Sequence, residues 1–333
     1  MAKIAASIRD VARDTGLSTA TISRVVNGDT KVSEKTRQLV LDACSRLDYL
    51  PNPAARALST RRSRVVAAII PTIEHSVFAK FISAIERTLG LHGYSLVLAI
   101  SNADEAEELA AARKLLGMGA DAFILSGQTH SKALLGMLAK RQVPYVYTSV
   151  WDPLCEQPTV GYDNADLAGQ ALRHLHANGH RRVAVVHGPL AESDRTVARR
   201  DGARALRGLF DTLDFFETPL SVAGGKACVG HRLADGGGYS AYLCFSDVLA
   251  LGAYFACADV GKQIPQDVSV MGFDNLDWAE AVVPPLTTID LPASGMGEAV
   301  GTHIVECLET SAPMQSQQLT ARIIERGSVA QLT

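Results

Sequence analysis

The chain has 333 residues, 47% of them hydrophobic and 20% charged, too long for one ordinary core and consistent with two or three soluble, globular domains. No apolar run is long enough to span a bilayer, and the start, Met1 to Ser7, has no apolar stretch of the export-signal kind, so a cytoplasmic protein with no membrane partner is expected. The net charge of −3 conceals an imbalance: residues 1–64 hold 12 Lys and Arg against 6 Asp and Glu, a net +6, and the rest carries 20 against 29, a net −9. A basic head on an acidic body confines any contact with a polyanion to the head.

The first predicted helix is Ile8–Thr15, where Ile8, Val11 and Ala12 share one face and Ser7 can cap the start. Gly16 supplies a turn residue that tolerates positive φ, and Leu17 plugs into the small core. Ser18 can cap a second helix from Thr19 to about Val26, ended by Asn27-Gly28. Its buried stripe is Ile22, Val25 and Val26, which leaves Thr19, Ala20, Ser23 and Arg24 outward. Val32-Ser33-Glu34 then opens a third helix that turns Val40, Leu41, Cys44 and Leu47 inward. Two short helices crossing over a tight turn, with a small polar outer face on the second, are the parts of a helix-turn-helix that reads DNA. A small helical bundle with no DNA role is the competing reading, and the basic charge speaks against it. Asn52 to Ser59 starts with a helix-start Pro53 and continues in helix formers, yet is too short to hold a helix alone.

From Val65 the pattern changes. A continuous apolar run, Val65–Ile70, reads as a strand buried on both faces. Helices over Phe78–His92, Ala103–Gly117 and Ser131–Arg141 then alternate with strands over Tyr94–Ile100, Ala122–Ser126 and Pro144–Thr148. The scheme restarts with a helix over Asp166–Asn178, a strand over Arg182–His187 and a helix over Thr196–Thr212. Strands over Ala241–Phe245 and Val268–Phe273 flank a last helix over Ala250–Val260. Two such α/β halves enclose a cleft at the carboxyl ends of their parallel strands.

Chemistry-bearing motifs are few. The six cysteines form no C-x-x-C pair and have no His at ligand spacing, so reduced thiols and no metal are expected. Gly224-Gly225-Lys226 lacks the strand before it and the Ser or Thr after it that a phosphate loop needs, and Gly117-Met118-Gly119 falls at a helix end. No nucleophile motif is present, so neither catalytic residues nor a cofactor are expected. A cytoplasmic sugar-binding protein or a cleft enzyme with no operator function remains the competing class, and neither accounts for the basic head.

The runs Asp10-Val11-Ala12, Gly16-Leu17-Ser18, Ala20 to Gly28, Val32 to Arg37 and Tyr49-Leu50-Pro51-Asn52 resemble the head of the LacI/GalR family of transcriptional regulators. That resemblance implies that Thr19 and Ala20 meet base edges and that Arg24 gives a bidentate pair to a guanine. It also implies that Ser18, Thr21, Asn27 and Ser33 bond phosphates, with Asn52 among the DNA contacts. Leu58 matches the family's minor-groove wedge, the competing reading being a linker leucine packed on the body.

Beyond the head, Val160 to Asn164, Gly179 to Val183, Val268 to Asn275 and Pro285 to Ile289 look like landmarks of the same family. The fold implied is an all-α helix-turn-helix head plus a two-lobed α/β body with parallel sheets, of the type I periplasmic-binding-protein kind. The division implied is 1–50 for the head and 51–64 for the hinge and linker. One lobe would hold 65–160 plus about 290–322, the other 161–289 plus about 323–333. The stretch from about Thr218 to Tyr239 departs from the family in being short and Gly-rich, which puts its usual helix and strand in doubt.

For the effector, the resemblance points to Phe78 after the first strand and to Arg199, three residues before Gly202. Asp163 and Asp274 end strands, and Asp247 stands where the family shows an Asn-Asp pair, here Ser246-Asp247. Trp151 suits either a ring stack or hinge packing. Carboxylates with an Arg suit a hydroxyl-rich ligand, a sugar or sugar acid, and Ile124 to His130 looks somewhat like the gluconate-repressor branch. The expected protein is a homodimeric repressor on a near-palindromic operator, with the effector changing how the lobes close.

Overall fold

The computed structural model describes residues 6–27, 31–50, 62–73 and 76–332. Asn52 and Leu58 lie outside the described residues. The chain divides into two compact units, one up to Arg64 and one from Val65.

The head is three helices, α1 (Ile8–Thr15), α2 (Thr19–Val26) and α3 (Glu34–Arg46). The Ser7 amide and hydroxyl both donate to the Asp10 carboxylate, at 2.9 and 2.7 Å, which sets the entry into α1. Gly16 ends α1 at φ +69°, and the Ser18 hydroxyl accepts the Thr21 amide at 3.1 Å to start α2. Val11, Ile22, Val25, Val40 and Ala43 form the centre of the core, with Leu17, Cys44 and Leu47 packed around it. Leu41, expected inside, is 46% exposed. The buried stripe of α3 runs Val40, Ala43, Cys44, Leu47, and Leu41 lies about 100° round the helix from Val40.

The body opens with β1 (Val65–Ile70), α4 (Ser76–Leu91), β2 (Ser95–Ile100), α5 (Glu105–Gly117), β3 (Ala122–Ser126), α6 (Lys132–Arg141), β4 (Tyr145–Thr148) and β5 (Thr159–Gly161). It continues through α7 (Asn164–Ala177), β6 (Arg182–His187), α8 (Asp194–Arg204), β7 (Thr212–Glu217), α9 (Val222–Ala234), β8 (Ala241–Cys244), α10 (Asp247–Asp259) and β9 (Ser269–Met271). Last come β10 (Thr288–Asp290), α11 (Ala293–Thr310), β11 (Gln317–Gln318) and β12 (Arg322–Ile324). One six-stranded parallel sheet has the order β11-β5-β4-β3-β1-β2, and a four-stranded parallel sheet has the order β7-β6-β8-β9. The chain passes between the sheets three times: after β5, through β10 and after β11. β10 and β12 pair antiparallel, with Ile289 opposite Ile323, so two of the crossings run side by side.

Both sheets are covered by helices, so their central strands are apolar throughout: Val66 to Ile70 and Val183 to Val186 are all buried. α11 follows the whole second sheet in sequence yet packs against α4 of the first, burying Met296, Val300 and Ile304. No helix among the described residues is long and apolar enough to cross a membrane.

Two expectations are corrected. The helix expected over Thr196–Thr212 stops at Arg204. A 3₁₀ turn over Arg207–Leu209 follows, and Thr212 begins β7, paired with β6 from Arg182↔Thr212 onward. The doubtful Gly-rich stretch does hold a helix, α9, and the strand β7 ends at Glu217, directly before it. Ser221 caps α9 by accepting the Gly224 amide at 3.0 Å. The glycines serve packing: a Cβ at Gly225 would lie 2.5 Å from the Leu249 carbonyl oxygen, and one at Gly252 2.4 Å from that of Val222. α9 and α10 therefore touch backbone to backbone. Gly252→Val should push them apart and destabilise the body by about 2–3 kcal/mol in urea unfolding; an unchanged midpoint would contradict this packing.

Candidate nucleic-acid face and ligand cavity

Ser18, Thr19, Ala20, Arg24 and Asn27 are all exposed on α2 and its ends. Ile22 and Val25 hold the opposite side of the helix in the core. The face is thus small and uncharged at the helix start, with one long cation a turn later. Ser18 and Thr21 hydroxyls lie 2.9 Å apart, and Asn27 donates to the Ser23 hydroxyl at 3.1 Å. Ser33 accepts the Thr36 amide at 3.3 Å and caps α3. Ser18, Thr21 and Ser33 organise the starts of α2 and α3, where unpaired amides suit a phosphate oxygen, whereas Asn27 caps the far end of α2 and can reach a phosphate only through its side chain.

In the body, a cavity of about 460 Å³ lies between the two sheets. Phe78, Arg199 and Asp274 line it, together with Tyr162, Arg195 and Ser246, which sequence alone did not single out. It sits at the carboxyl ends of β1, β6, β8 and β9, where parallel strands leave room and helix starts converge.

Arg199 is buried. Its Nε donates to Asn164 Oδ1 and its Nη1 to the Phe245 carbonyl, each at 2.9 Å, and its guanidinium stacks 3.9 Å from the Phe273 ring centroid. Asn164 in turn donates to the Ser149 carbonyl at 2.9 Å, so the arginine is tied to both sheets. Gly202 makes this possible: a Cβ there would lie 2.3 Å from the Ala165 carbonyl oxygen. Only glycine lets α8 approach α7 closely enough for Arg199 to reach Asn164. Burial pulls the guanidinium below its ordinary pKa, while Tyr162 and Asp274 beside it favour its charge.

Asp274 stands at φ +122°, a rare backbone for a side-chain-bearing residue. Its amide donates to the Ile289 carbonyl at 2.9 Å and the Ser246 hydroxyl donates to its Oδ2 at 2.9 Å. Burial pushes its pKa up to about 7, with Asp247 adding to the rise and Arg199 opposing it.

Three expected effector residues are placed elsewhere. Asp247 is fully buried: its Oδ1 accepts the Thr288 hydroxyl at 2.6 Å and its Oδ2 the Leu276 amide at 2.8 Å. Burial pushes its pKa up to about 6, against those hydrogen bonds. It joins α10 to the segments after β9 and does not line the cavity. Asp163 caps α7 by accepting the Asp166 amide at 2.9 Å. Trp151 is half-buried beyond β4, away from the cavity lining. Asn164, next to Asp163, is the residue that reaches Arg199, and the pattern hints at it, since the Asp before a helix is claimed by its cap. Arg195 is signalled too: it is four residues before Arg199, on the same face of α8.

An all-α head and a two-lobed parallel α/β body with an interlobe cavity define the class. The family profile described as "Bacterial regulatory proteins, lacI family" matches residues 7–52, and that described as "Periplasmic binding protein-like domain" matches residues 172–329. The HTH-type transcriptional repressor PurR of Escherichia coli O139:H28 is 30% identical over 338 residues, covering 98% of this chain and 97% of that one. The crystal structure of the Lac repressor dimer bound to operator and the anti-inducer ONPF superposes with a TM-score of 0.87 at 25% identity, over 98% of this chain and 99% of that one. A LacI family transcriptional regulator from Enterococcus faecalis V583 with bound ribose gives a TM-score of 0.72 at 27% identity, over 81% of this chain and all of that one. The chain belongs to the lacI family of bacterial regulatory proteins.

Proposed function

We propose that this protein is a cytoplasmic, homodimeric repressor that binds a near-palindromic operator and is controlled by a sugar or sugar acid in the interlobe cavity. The observation that carries the reading is one chain holding both an exposed Thr19–Ala20–Arg24 face and a cavity with Arg199, Asp274 and Phe78 on its walls. Donors, an acceptor and an aromatic ring around about 460 Å³ suit a hydroxyl-rich molecule of one or two rings. The operator-bound dimer and the ribose-bound regulator among similar structures support it. Residues 1–50 would be the DNA-binding unit, 51–64 the hinge, and the body two lobes joined at the three crossings. No role as an enzyme is proposed.

In this reading Arg24 reads a guanine, Thr19 and Ala20 make short contacts to base edges, and Ser18, Thr21, Asn27 and Ser33 fix the register on phosphates. Ligand binding acts by favouring one arrangement of the lobes over another. The test is a gel shift on near-palindromic DNA selected from a random pool; no binding at low salt would sink the reading. Arg24→Ala should cut discrimination against a changed guanine by roughly 10- to 100-fold, about 1–3 kcal/mol, while ligand binding stays as it was. Intact discrimination in that variant would displace the assignment.

A further inference from the structure

We propose that Arg195 selects an anionic sugar over a neutral one in this cavity, and that Asp194 is its positioning residue. The proposal rests on the sugar-class reading above and narrows it.

Arg195 lines both the main cavity and a neighbouring one of about 300 Å³, and its side chain is only 11% exposed. Among the described residues its guanidinium makes one hydrogen bond, from Nη1 to Asp194 Oδ1 at 3.0 Å. The remaining donors of the fork have no protein acceptor there. Arg199 differs in being anchored at two nitrogens, Nε to Asn164 and Nη1 to the Phe245 carbonyl, and in stacking on the Phe273 ring, so its position is set by the framework. Of the two cavity arginines, then, Arg199 is the one tied to both sheets, and Arg195, held only through Nη1 by its sequence neighbour, keeps the more open fork.

Asp194 fixes where that fork points. Its Oδ2 accepts the amides of Gln128 and Thr129, at 2.7 and 3.0 Å, from the loop after β3 in the other sheet. Burial works against its charge, but Arg195 and those amides outweigh it and hold the carboxyl below its ordinary pKa. Its charge is thus shared among three donors and only partly neutralises Arg195. Space is kept for the guanidinium by Gly127, at φ +85°, where a Cβ would lie 2.3 Å from Arg195 Nη1. Glu192, the acid that also lines both cavities, is exposed to water and its repulsion is screened.

A partly buried planar fork with open donors matches a carboxylate or a phosphate ester. Calorimetry and thermal shift on the whole chain would use D-gluconate, D-galactonate and D-glucuronate, the neutral D-glucitol, galactitol and D-glucose, and D-glucose 6-phosphate. At least one anion should bind the wild type about 10- to 100-fold more tightly than its neutral counterpart, the range expected of a charge-assisted hydrogen bond. Binding by the phosphate alone would support the proposal and name phosphate as the anionic group. Arg195→Gln should weaken the anion about 10- to 100-fold more than its neutral counterpart and so erase the preference, and Asp194→Asn should lower the same ratio, which a merely structural role would not move. Equal binding of anion and neutral partner to the wild type, or equal losses for both in Arg195→Gln, would overturn the proposal but leave the sugar reading standing. No binding by any probe would overturn both.

Discussion

Arg199→Ala is expected to abolish detectable ligand binding and to destabilise the body by roughly 3 kcal/mol, because it removes the centre of a buried hydrogen-bonded set. Asn164 Oδ1 and the Phe245 carbonyl each lose a donor, and the Phe273 ring loses its cation. Asp274, whose charge is favoured by Arg199, becomes harder still to ionise. Arg199→Lys should rescue little, since an ammonium cannot span Asn164 and Phe245 as a planar fork does. Urea unfolding and calorimetry check both parts; ligand affinity within tenfold of wild type would show that the arginine only braces the lobes. The head, a separate unit with its own core, should keep its fold in the variant, which its helical signal would report.

Asp274→Asn should separate ligand control from DNA binding. The variant keeps the shape of the side chain but not its charge, so affinity for a hydroxyl-donating ligand should fall by about 10- to 100-fold, as for loss of a charged hydrogen-bond partner. Operator binding should persist and no longer respond to ligand. Stability should move the other way. Asp274 binds its proton more tightly when folded, with a pKa of about 7, than the unfolded chain does at an ordinary carboxyl value of 3.8. Between these values the folded state holds more protons, so wild-type stability falls as pH rises from about 4 to about 7. The Asn variant should lose part of that decline and melt higher at pH 8, by on the order of 2 kcal/mol once partial hydration is allowed for. Asp247, with a pKa of about 6 and an intact carboxyl, keeps the remainder of the slope. A melting point that falls at pH 8 would contradict this placement of Asp274.

The parts legible in the sequence share a physical trait: in each, several forces agree or one outweighs the rest. In the head, Ser18, Gly16 and the Ile22–Val25 stripe agree on cap, turn and core, so the three helices follow directly. In the body, Val65–Ile70 and Arg182–His187 read as strands because burial on both faces demands unbroken apolar runs. The pattern misleads where two forces compete. Gly225 reads as a breaker by propensity, yet its contact with Leu249 makes it a packing residue. Leu41 is apolar but off the stripe. At the site, the rule that polar residues end strands picked out Asp274, which lines the cavity. It failed at Asp163 and Asp247, because a strand end is also the start of the next helix and the cap or the core claimed each carboxylate. Arg195 escaped notice because the family motif marks only Arg199, although a helix repeats its face after four residues.

The packing of α11 on α4 has a consequence for how the protein is made. During synthesis the first five strands emerge early, but the helix that covers one face of them is translated about 230 residues after β1 begins. At about 5–20 residues per second, that surface waits roughly 10–50 s for its cover. Val300 and Ile304 close a gap that the nascent chain carries open through the birth of the entire second sheet. Phe81, Ile85 and Leu89, buried in the finished protein, are therefore the apolar side chains a ribosome-associated chaperone would meet.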